Sequence, residues 1–587
     1  MWKTVVCIAV ALPWTTAQWL RYSNTTTSIA SPVSSIPTPT PILVTGVKTG
    51  IDNGTGQPPP RLNINLLSTQ AGPQWDLYIL ALSELQALNE TDETSYFALA
   101  GIHGFPHSAW NGVGHVDGAP VTGFCPHGEL LFLTWHRPYV ALFEQILVAR
   151  AVAIASRYPP SLHPQYVAAA QSLRQPFWDW AAHPLLPDAA TSPTISVTAP
   201  GGVTEIPNPL YNYRYQRPDV EHGFGGWLAT KPQTFRCLGS GDMLNNASES
   251  NLQLNSSADY LKSSIYDIFT RVTSFEEMRN MSFENPHNLV HLRAACNGTL
   301  ADINWSAFEP IFMLHHTNVD RLFAMWQTIH YASPITFLNT TSGGQFATPK
   351  GTVITADSPL KPFFSDTDNL KFHTSNSVAN ISTFGYSYQD DAPWGNLDAE
   401  SRADFVRGRV NSLYGGDGGN SAERIDEQTA NRLGKPDDDL KDYYYYYYTA
   451  EISVDRAQIP LLPATVGLVV AASGQIVGRV PLLAMPCEGV VEVSVPLADL
   501  RLTNNKTLLA GGEYGREVVA AVLGEVLGVE IQGADGTQIP VSNVPSVKVA
   551  LQAVQYTPRS NTSDFPTFGN SERWELTVKQ NDFPVRL

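Results

Sequence analysis

The chain has 587 residues, of which 43% are hydrophobic, so it can bury a sizeable core, and it is longer than one core usually supports. We therefore expect two folded domains. Acidic residues outnumber basic residues 54 to 37, and the resulting net charge of −17 excludes nucleic acid as an expected partner.

Residues 1–17 have the pattern of a secretory signal peptide, with Lys3, an apolar run, and small residues up to Ala17, after which we predict cleavage. This run of about ten residues cannot cross a bilayer core, which needs about 20. We judge later segments too short as well, so we expect no membrane partner. Twelve N-x-Ser/Thr sequons also fit a secreted glycoprotein.

Residues 18–60 are rich in Ser, Thr and Pro, which predicts a disordered lead-in. Residues 61–395 alternate apolar helical patterns with long Gly/Pro-rich loops, so we predict a mainly α-helical domain. Four cysteines remain after removal of the signal peptide, and in a secreted protein they are in an oxidising environment. We favour a disulfide between Cys237 and Cys296, leave Cys487 unassigned, and keep Cys125 out of the pairing for a different role, described below.

Nine of the 14 histidines lie in two short windows of the helical domain, residues 103–136 and 287–316. His287 and His291 are four residues apart, which places both rings on one face of a helix. His315 and His316 sit in a strongly apolar helix, where burying two imidazoles costs free energy unless each has a partner. One of these two rings can bind a metal, and its neighbour must face elsewhere.

Two groups of three histidines, with no accompanying carboxylate or thiolate, suit copper, zinc, iron or nickel. Catalytic zinc also uses three imidazoles, so the spacing alone leaves the metal open. Two such groups among aromatic helices favour two coppers that share one small oxidant.

The chain changes character after the helical domain. Residues 396–442 predict a linker, because the stretch 411–442 is polar, acidic and glycine-rich. Residues 443–587 contain short strand-like runs bounded by turn residues, which predict an antiparallel β-sandwich or barrel. We interpret Tyr443–Tyr448 as a strand in which alternate side chains are buried.

Four stretches of the chain resemble the type-3 copper tyrosinases and catechol oxidases, in particular the fungal tyrosinases. They are GIHGFP (101–106), FCPHGELLFLTWHRPYVALFE (124–144), ENPHNLVH (284–291) and EPIFMLHHTNVDRLFAMWQ (309–327). They follow the family's order and spacing, and the resemblance is close over residues 60–390. It implies a mainly α catalytic domain, a four-helix bundle around a dicopper site, followed by a β-rich shielding domain.

The resemblance also implies the ligands of two copper ions. Position by position, the first copper would be bound by His103, His127 and His136, and the second by His287, His291 and His316. His127 would lie on a loop and His136 near a helix start, because Pro138 is best tolerated there. The pair Cys125 and His127 is similar to the Cys-x-His pair in which fungal relatives join the sulfur to the ring by a thioether.

Other residues near these motifs have counterparts in the family. Glu284 and Asn288 match the pair that, in similar enzymes, holds a water able to accept the phenol proton. A phenol, with a pKa near 10, needs such a base to bind copper as phenolate. We expect Phe312 against the ligand rings, His315 behind them, His107 and His115 in loops, and we note Glu309 where the family usually has Asp.

The activity that the resemblance implies uses O2 to convert monophenols to o-diphenols and o-diphenols to o-quinones. It also implies latency, in which the shielding domain places an aromatic side chain near the coppers until a processing protease removes it. Phe565 and Phe568 are candidates for this plug, Tyr443–Tyr448 are the alternative, and the linker offers a cleavage region.

Other functions remain open from the sequence. A catechol oxidase without monophenolase activity and an o-aminophenol oxidase share the six histidines. A haemocyanin-like oxygen carrier has the same centre under a permanent cover and would bind oxygen without phenol turnover. A zinc hydrolase would contain no copper.

Overall fold

The structure, a computed structural model, describes residues 40–580 except 217–229, 240–244, 280, 368, 392–396, 416–444, 472–473, 485, 487, 498–515, 534–535 and 578. The predicted signal peptide and its cleavage site therefore lie outside the described residues, as do Tyr443, Tyr444 and Cys487.

The described part of the N-terminal domain is built from ten α-helices, three short β-pairs and several 3₁₀ turns. The helices are α1 (Ile64–Gln70), α2 (Pro73–Gln86), α3 (Tyr96–Gly101), α4 (Leu131–Ala155), α5 (His163–Ser172), α6 (Ala247–Asn255), α7 (Ala258–Arg271), α8 (Glu284–Ala295), α9 (Ile311–Ile329) and α10 (Ala399–Tyr414). The strands are β1 (Pro60–Arg61) with β6 (Ser387–Tyr388), β2 (Thr194–Ala199) with β3 (Gly202–Pro207), and β4 (Pro359–Asp366) with β5 (Lys371–Thr374).

Helix α4 lies at the centre of this domain and packs against α2, α5 and α9, while α9 packs against α10. Its 25 residues are long and apolar enough to cross a membrane, so the expectation that no later segment reaches this length was wrong. Most of α4 is buried inside the protein, including Arg137 and Glu144, which pair with Asp320 and Arg61. Its apolar character is thus explained by the core that it fills.

Two predicted boundaries of the N-terminal domain need correction. The lead-in does not extend to residue 60, because Val44 and Val47 are buried and Gln145 accepts the N–H of Gly46 at 3.0 Å. The linker does not begin at residue 396, because α10 follows and buries Val406 and Val410. Both segments are polar overall, which led to their prediction as lead-in and linker. Each nevertheless has a few apolar side chains that pack on the core. The remainder of the predicted linker, 416–442, lies outside the described residues.

The C-terminal domain consists of two four-stranded sheets, β10-β7-β12-β13 and β14-β11-β8-β9. The strands are β7 (Tyr445–Asp455), β8 (Ala464–Val470), β9 (Gln475–Leu482), β10 (Val490–Pro496), β11 (Leu527–Gly533), β12 (Lys548–Thr557), β13 (Thr567–Leu576) and β14 (Lys579–Gln580). All pairs except β11–β14 are antiparallel. Strand β7 begins inside the tyrosine run that we predicted as a strand, and its residues Ala450, Ile452 and Val454 are buried. The predicted alternation is not seen among the described tyrosines, because Tyr446 and Tyr447 are both half-buried and Tyr448 is buried. Helix α11 (Arg516–Val526) was not predicted.

The two domains contact each other through polar groups on α7, α10 and the loop before α7. Tyr447 donates its hydroxyl to Asp267 at 2.6 Å, and Asn411 donates to the carbonyl oxygen of Thr562 at 2.8 Å. Arg479 of β9 donates to Ser257 Oγ at 3.2 Å. These contacts join sites far apart in sequence and hold the β-rich domain against the helical domain.

Candidate metal centre

Six histidines from both windows converge in the interior of the N-terminal domain. His103 follows α3, His127 lies on the loop before α4, and His136 is in the second turn of α4. The other three are on α8 and α9: His287, His291 and His316. Pro138 lies inside α4, which begins earlier than expected, at Leu131. All six side chains are buried.

The loops that carry His103 and His127 are joined to each other. The N–H of Phe124 donates to the carbonyl of Ile102 at 3.0 Å. Gly123 allows this approach, because a Cβ at that position would lie 1.7 Å from the carbonyl oxygen of His103. The two rings are therefore fixed relative to each other although they belong to loops.

Five of the six rings have a hydrogen-bond acceptor at Nδ1. The acceptors are the carbonyl of Ile303 for His103 (3.2 Å), Glu284 for His127 (3.2 Å), the carbonyl of Phe132 for His136 (2.7 Å), Asn288 for His287 (2.9 Å) and the carbonyl of Leu300 for His291 (2.7 Å). A neutral ring that donates from Nδ1 has its lone pair on Nε2. In each of these five rings, Nε2 is therefore the atom whose lone pair can bind a metal.

The Nε2 atoms face one another at short distances. His103 and His127 approach to 3.3 Å, His287 and His316 to 3.2 Å, and His287 and His291 to 3.0 Å. Facing lone pairs repel unless a cation lies between them. Two imidazole nitrogens bound to one metal at 2.0–2.1 Å in tetrahedral geometry are about 3.3 Å apart. The residues present thus fit a shared metal. The Nε2 of His136 is buried and has no hydrogen-bond partner among the described residues, so a bound cation would stabilise its lone pair as well.

Burial keeps these rings neutral. It lowers the pKa of His127 and of His291 to about 3, and it lowers the pKa of the other four well below the ordinary value. A neutral imidazole is the form that binds a metal.

Two aromatic rings join the two groups of histidines. Phe312 stacks on His316 with ring centroids 4.0 Å apart and meets the edge of His103 at 4.8 Å. Phe132 lies 4.6 Å from His136 and 4.8 Å from His287. Sequence reasoning missed Phe132, although its position four residues before His136 places both on one face of α4. Both rings restrict the orientation of the histidines on either side.

Cys125 forms no disulfide with a described cysteine and is buried. Its Sγ lies close enough to the ring nitrogens of His103 and His127 for the three atoms to be within 4.8 Å of one another. Burial raises the pKa of this thiol well above its usual value. The predicted disulfide between Cys237 and Cys296 is confirmed; it joins residues 59 positions apart, and Cys296 directly follows α8.

The predicted proton acceptor Glu284 and its neighbour Asn288 both contact histidine rings. Besides His127, Glu284 accepts the N–H of Gly128 at 2.7 Å through the same oxygen. Burial raises the pKa of Glu284 to about 7, while the Gly128 N–H and the charge of Arg456 act in the opposite direction. Arg456 belongs to the C-terminal domain and was missed by the sequence analysis, since no local pattern links it to residue 284.

Of the remaining predicted residues, His315 contacts the rings of the centre. His315 stacks parallel to His287 at 4.7 Å, and neither of its nitrogens has a partner among the described residues. His107 contacts Asn304 and His115 contacts the carbonyl of Ala119, so both are loop histidines. Glu309 lies 3.5 Å from Arg236, and burial raises its pKa to about 7.

The structure does not place the proposed plug residues at the histidines. Phe565 packs against Tyr266 of α7, and Phe568 packs against Tyr447 and Tyr556 in the sheet. Both therefore lie near the contacts between the two domains and not at the histidines. The C-terminal domain approaches the centre at Pro486 in the turn between β9 and β10. A Cβ on Gly128 would lie 3.2 Å from Cδ of this proline.

Comparison with known proteins agrees with this geometry. Residues 93–329, which include all six histidines, match the family model described as the common central domain of tyrosinase. The chain is 35% identical over 403 residues to a tyrosinase of Podospora anserina, an alignment that covers 64% of this chain and 69% of that protein. The chain belongs to the tyrosinase family.

Other relatives of this tyrosinase-family chain support the same assignment. Polyphenol oxidase 3 of Agaricus bisporus is 31% identical over 368 residues, which span 58% of this chain and 62% of that protein. The fold resembles that of recombinant mushroom tyrosinase, with a TM-score of 0.75 and 22% identity over 92% of this chain and 99% of that chain. It also resembles Aspergillus oryzae apo-protyrosinase, with a TM-score of 0.66, 22% identity and coverage of 90% and 97%. The chain is thus a tyrosinase-type enzyme, a class that implies a copper centre.

Proposed function

We propose that this chain is a secreted, latent copper enzyme that converts monophenols to o-diphenols and o-diphenols to o-quinones with O2. Two copper ions would be held by His103, His127 and His136 and by His287, His291 and His316. The observation that carries the proposal is the set of facing Nε2 atoms 3.0–3.3 Å apart, each on a ring kept neutral by burial. When bound, the coppers supply the binding and reduction of O2.

The side chains around the centre supply the remaining functions. The acceptors at Nδ1 hold each ring in one tautomer, and such partners raise the affinity of a histidine site for metal. Glu284, whose second oxygen does not bond to His127 or Gly128, would accept the proton of an incoming phenol. Phe132 and Phe312 pack against the histidine rings and would limit the access of water to the centre. Cys125 and His127 would be joined by a thioether, which would restrain the loop ligand.

Latency is supported by the docked C-terminal domain, whose Pro486 approaches the loop of His127 so closely that a Cβ on Gly128 would lie 3.2 Å from it. Cleavage between 416 and 442 would separate the two domains. Secretion rests on the signal pattern of residues 1–17, and N-terminal sequencing of the mature protein should begin at Gln18.

The central experiment measures copper per chain and oxygen uptake with a monophenol and an o-diphenol, before and after limited proteolysis. We expect two coppers per chain and a strong increase in oxygen uptake after cleavage. His291→Ala should lose copper and activity, whereas His115→Ala, which changes an exposed loop histidine, should retain both. Copper-loaded, cleaved protein that oxidises neither phenol would refute the proposal, as would preferential binding of zinc.

A further inference from the structure

The residues that follow α8 fold back onto this helix and contact the ring of His291. Nδ1 of His291 lies 2.7 Å from the carbonyl oxygen of Leu300, nine residues later in the chain. Leu300 and the preceding Thr299 are both buried. Because the acceptor for His291 is a backbone carbonyl, its position depends on the contacts that fix the backbone of residues 296–301.

Thr299 is joined to Phe235 by two hydrogen bonds. The N–H of Thr299 donates to the carbonyl oxygen of Phe235 at 2.8 Å, and the N–H of Phe235 donates to Oγ1 of Thr299 at 2.9 Å. Both residues are buried, so loss of the hydroxyl would leave a buried N–H without its acceptor, at a cost of about 1–3 kcal/mol. The side chain of Thr299 therefore attaches the chain directly beside the carbonyl of Leu300.

Gly298 allows the two backbones to lie this close together. A Cβ at this position would lie 2.4 Å from the carbonyl oxygen of Phe235 and 3.0 Å from that of Ala295. The N–H of Gly298 donates to the carbonyl of Ala295 at 2.7 Å, and the disulfide of Cys296 with Cys237 closes the other side of the turn. The turn after α8 is thus fixed on both sides of Gly298.

Phe235 is itself fixed to the rest of the helical domain. On one side, Thr234 exchanges two hydrogen bonds with Tyr213: its N–H donates at 2.8 Å and its Oγ1 accepts at 2.9 Å. On the other side, Arg236 donates to backbone carbonyl oxygens of two further segments at 2.9 and 2.7 Å. An anchored neighbour therefore opposes any displacement of Thr299.

We propose that Thr299 is a positioning residue for the second copper, because its bonds to Phe235 hold the carbonyl of Leu300 against His291. The inference rests on the proposed function, in which His291 is a ligand, and adds a residue that acts on the ligand through the backbone. An acceptor at Nδ1 fixes the tautomer and the orientation of a ligand ring and raises its basicity. Displacement of this carbonyl should therefore weaken the binding of metal by His291.

The test compares Thr299→Val with Thr299→Ser in the full-length, copper-loaded protein. Val resembles Thr in shape but has no hydroxyl, whereas Ser keeps the acceptor for Phe235. Copper per chain is measured after dialysis against increasing chelator. We expect Thr299→Val to lose one of its two coppers at a chelator concentration about 10-fold lower than the parent, and Thr299→Ser to retain both. Hydrogen exchange of residues 298–301 should become faster in Thr299→Val alone.

Two controls separate this effect from general destabilisation and from glycosylation. Thr234→Val removes an acceptor of the same kind, for the N–H of Tyr213, so it should lower the unfolding temperature and yet retain both coppers. Thr299 also completes the sequon of Asn297, and Thr299→Val therefore removes any glycan from that residue. Asn297→Gln removes the glycan but leaves Thr299 in place, and it should retain both coppers.

Gly298→Ala tests the same step without loss of the hydroxyl or the sequon. The added methyl would meet the carbonyl of Phe235, so the chain must move away from it. We expect this variant to lose copper at a lower chelator concentration, as Thr299→Val does. It also replaces Thr299→Val in the comparison should that variant fail to fold.

Three results would overturn the inference. If hydrogen exchange of residues 298–301 is unchanged in Thr299→Val, Thr299 does not hold them. If exchange is faster but copper is retained as in the parent, the position of the Leu300 carbonyl does not govern metal binding. Equal loss of copper from a control variant would assign the effect to general destabilisation or to the glycan. A parent protein that binds no copper would instead refute the proposed function and with it the copper role of Thr299, while the exchange comparison would still decide whether Thr299 holds the turn.

Discussion

Glu284 on α8 is bonded to His127 on the loop before α4, with Oε1 of the carboxylate 3.2 Å from Nδ1 of the ring. The expected proton acceptor for the phenol therefore also orients the ring that we propose as a ligand of the first copper. Within α8, Asn288 lies 2.9 Å from Nδ1 of the adjacent His287 and orients that ring. The two groups of histidines are thus one connected centre, and changes in these two residues should affect metal binding and catalysis differently.

Replacing Glu284 by Gln should separate the two activities. The amide oxygen can still accept from His127 and Gly128, but the side chain can no longer take the phenol proton. We expect monophenol turnover to fall by about 100-fold, the usual cost of losing a general base, and o-diphenol turnover to fall much less. Steady-state oxygen uptake with both substrates measures the ratio. An equal loss for both substrates would show that Glu284 acts only by orienting His127.

Replacing Asn288 by Ala should weaken metal binding at the second group of histidines. His287 would lose the acceptor at Nδ1, and loss of such partners typically lowers metal affinity 10- to 100-fold. Copper remaining per chain after dialysis against increasing chelator measures this effect. Asn376→Ala, at an exposed residue that bonds to Asp357, is the control and should retain copper like the parent. Equal retention in both variants would contradict the role assigned to Asn288.

Loss of the Cys237–Cys296 disulfide should destabilise the helical domain. The bridge joins residues 59 positions apart, and loop-closure entropy gives it a value of about 4 kcal/mol. The double variant Cys237→Ser/Cys296→Ser should therefore unfold at a lower temperature than the parent in a thermal scan. A reductant should lower the midpoint of the parent towards that of the variant and leave the variant unchanged. A midpoint equal to that of the oxidised parent would refute the prediction.

Glu309 should make stability depend on pH. Its pKa is about 7 in the folded chain and 4.5 in the unfolded chain, so between these pH values the folded chain binds more protons than the unfolded chain. The free energy of unfolding should therefore fall as pH rises from about 4.5 to 7, by about 3 kcal/mol for this group. Glu309→Gln should remove that part of the dependence in thermal scans at pH 5 and 7.5. The control Glu84→Gln changes an exposed ion pair, and its unfolding midpoint should change between pH 5 and 7.5 as much as that of the parent.

Local patterns in the chain were enough to predict most secondary structure. The strand-like runs predicted within 443–587 correspond to β7, β8, β9, β10, β12 and the β13–β14 region, because a strand has a local pattern of apolar residues, and β11 was missed. Boundaries were less accurate where polar segments pack on the core, as α10 and Val44 show. The length of α4 was underestimated because Pro138 was expected near the helix start, whereas the helix begins at Leu131 and Pro138 lies inside it.

The sequence by itself placed nine histidines in two short windows, and its resemblance to the tyrosinase family implied which six of them are candidates for the metal centre, since residue types and motifs are local properties of the chain. Only the tertiary structure decided how those rings are held, because the acceptors for His103 and His291 are backbone carbonyls of Ile303 and Leu300. Every residue has a carbonyl, so no side-chain pattern marks the ones that will face a ring. The approach of Arg456 and Pro486 to the centre likewise depends on how two separate domains dock, which local periodicity does not encode.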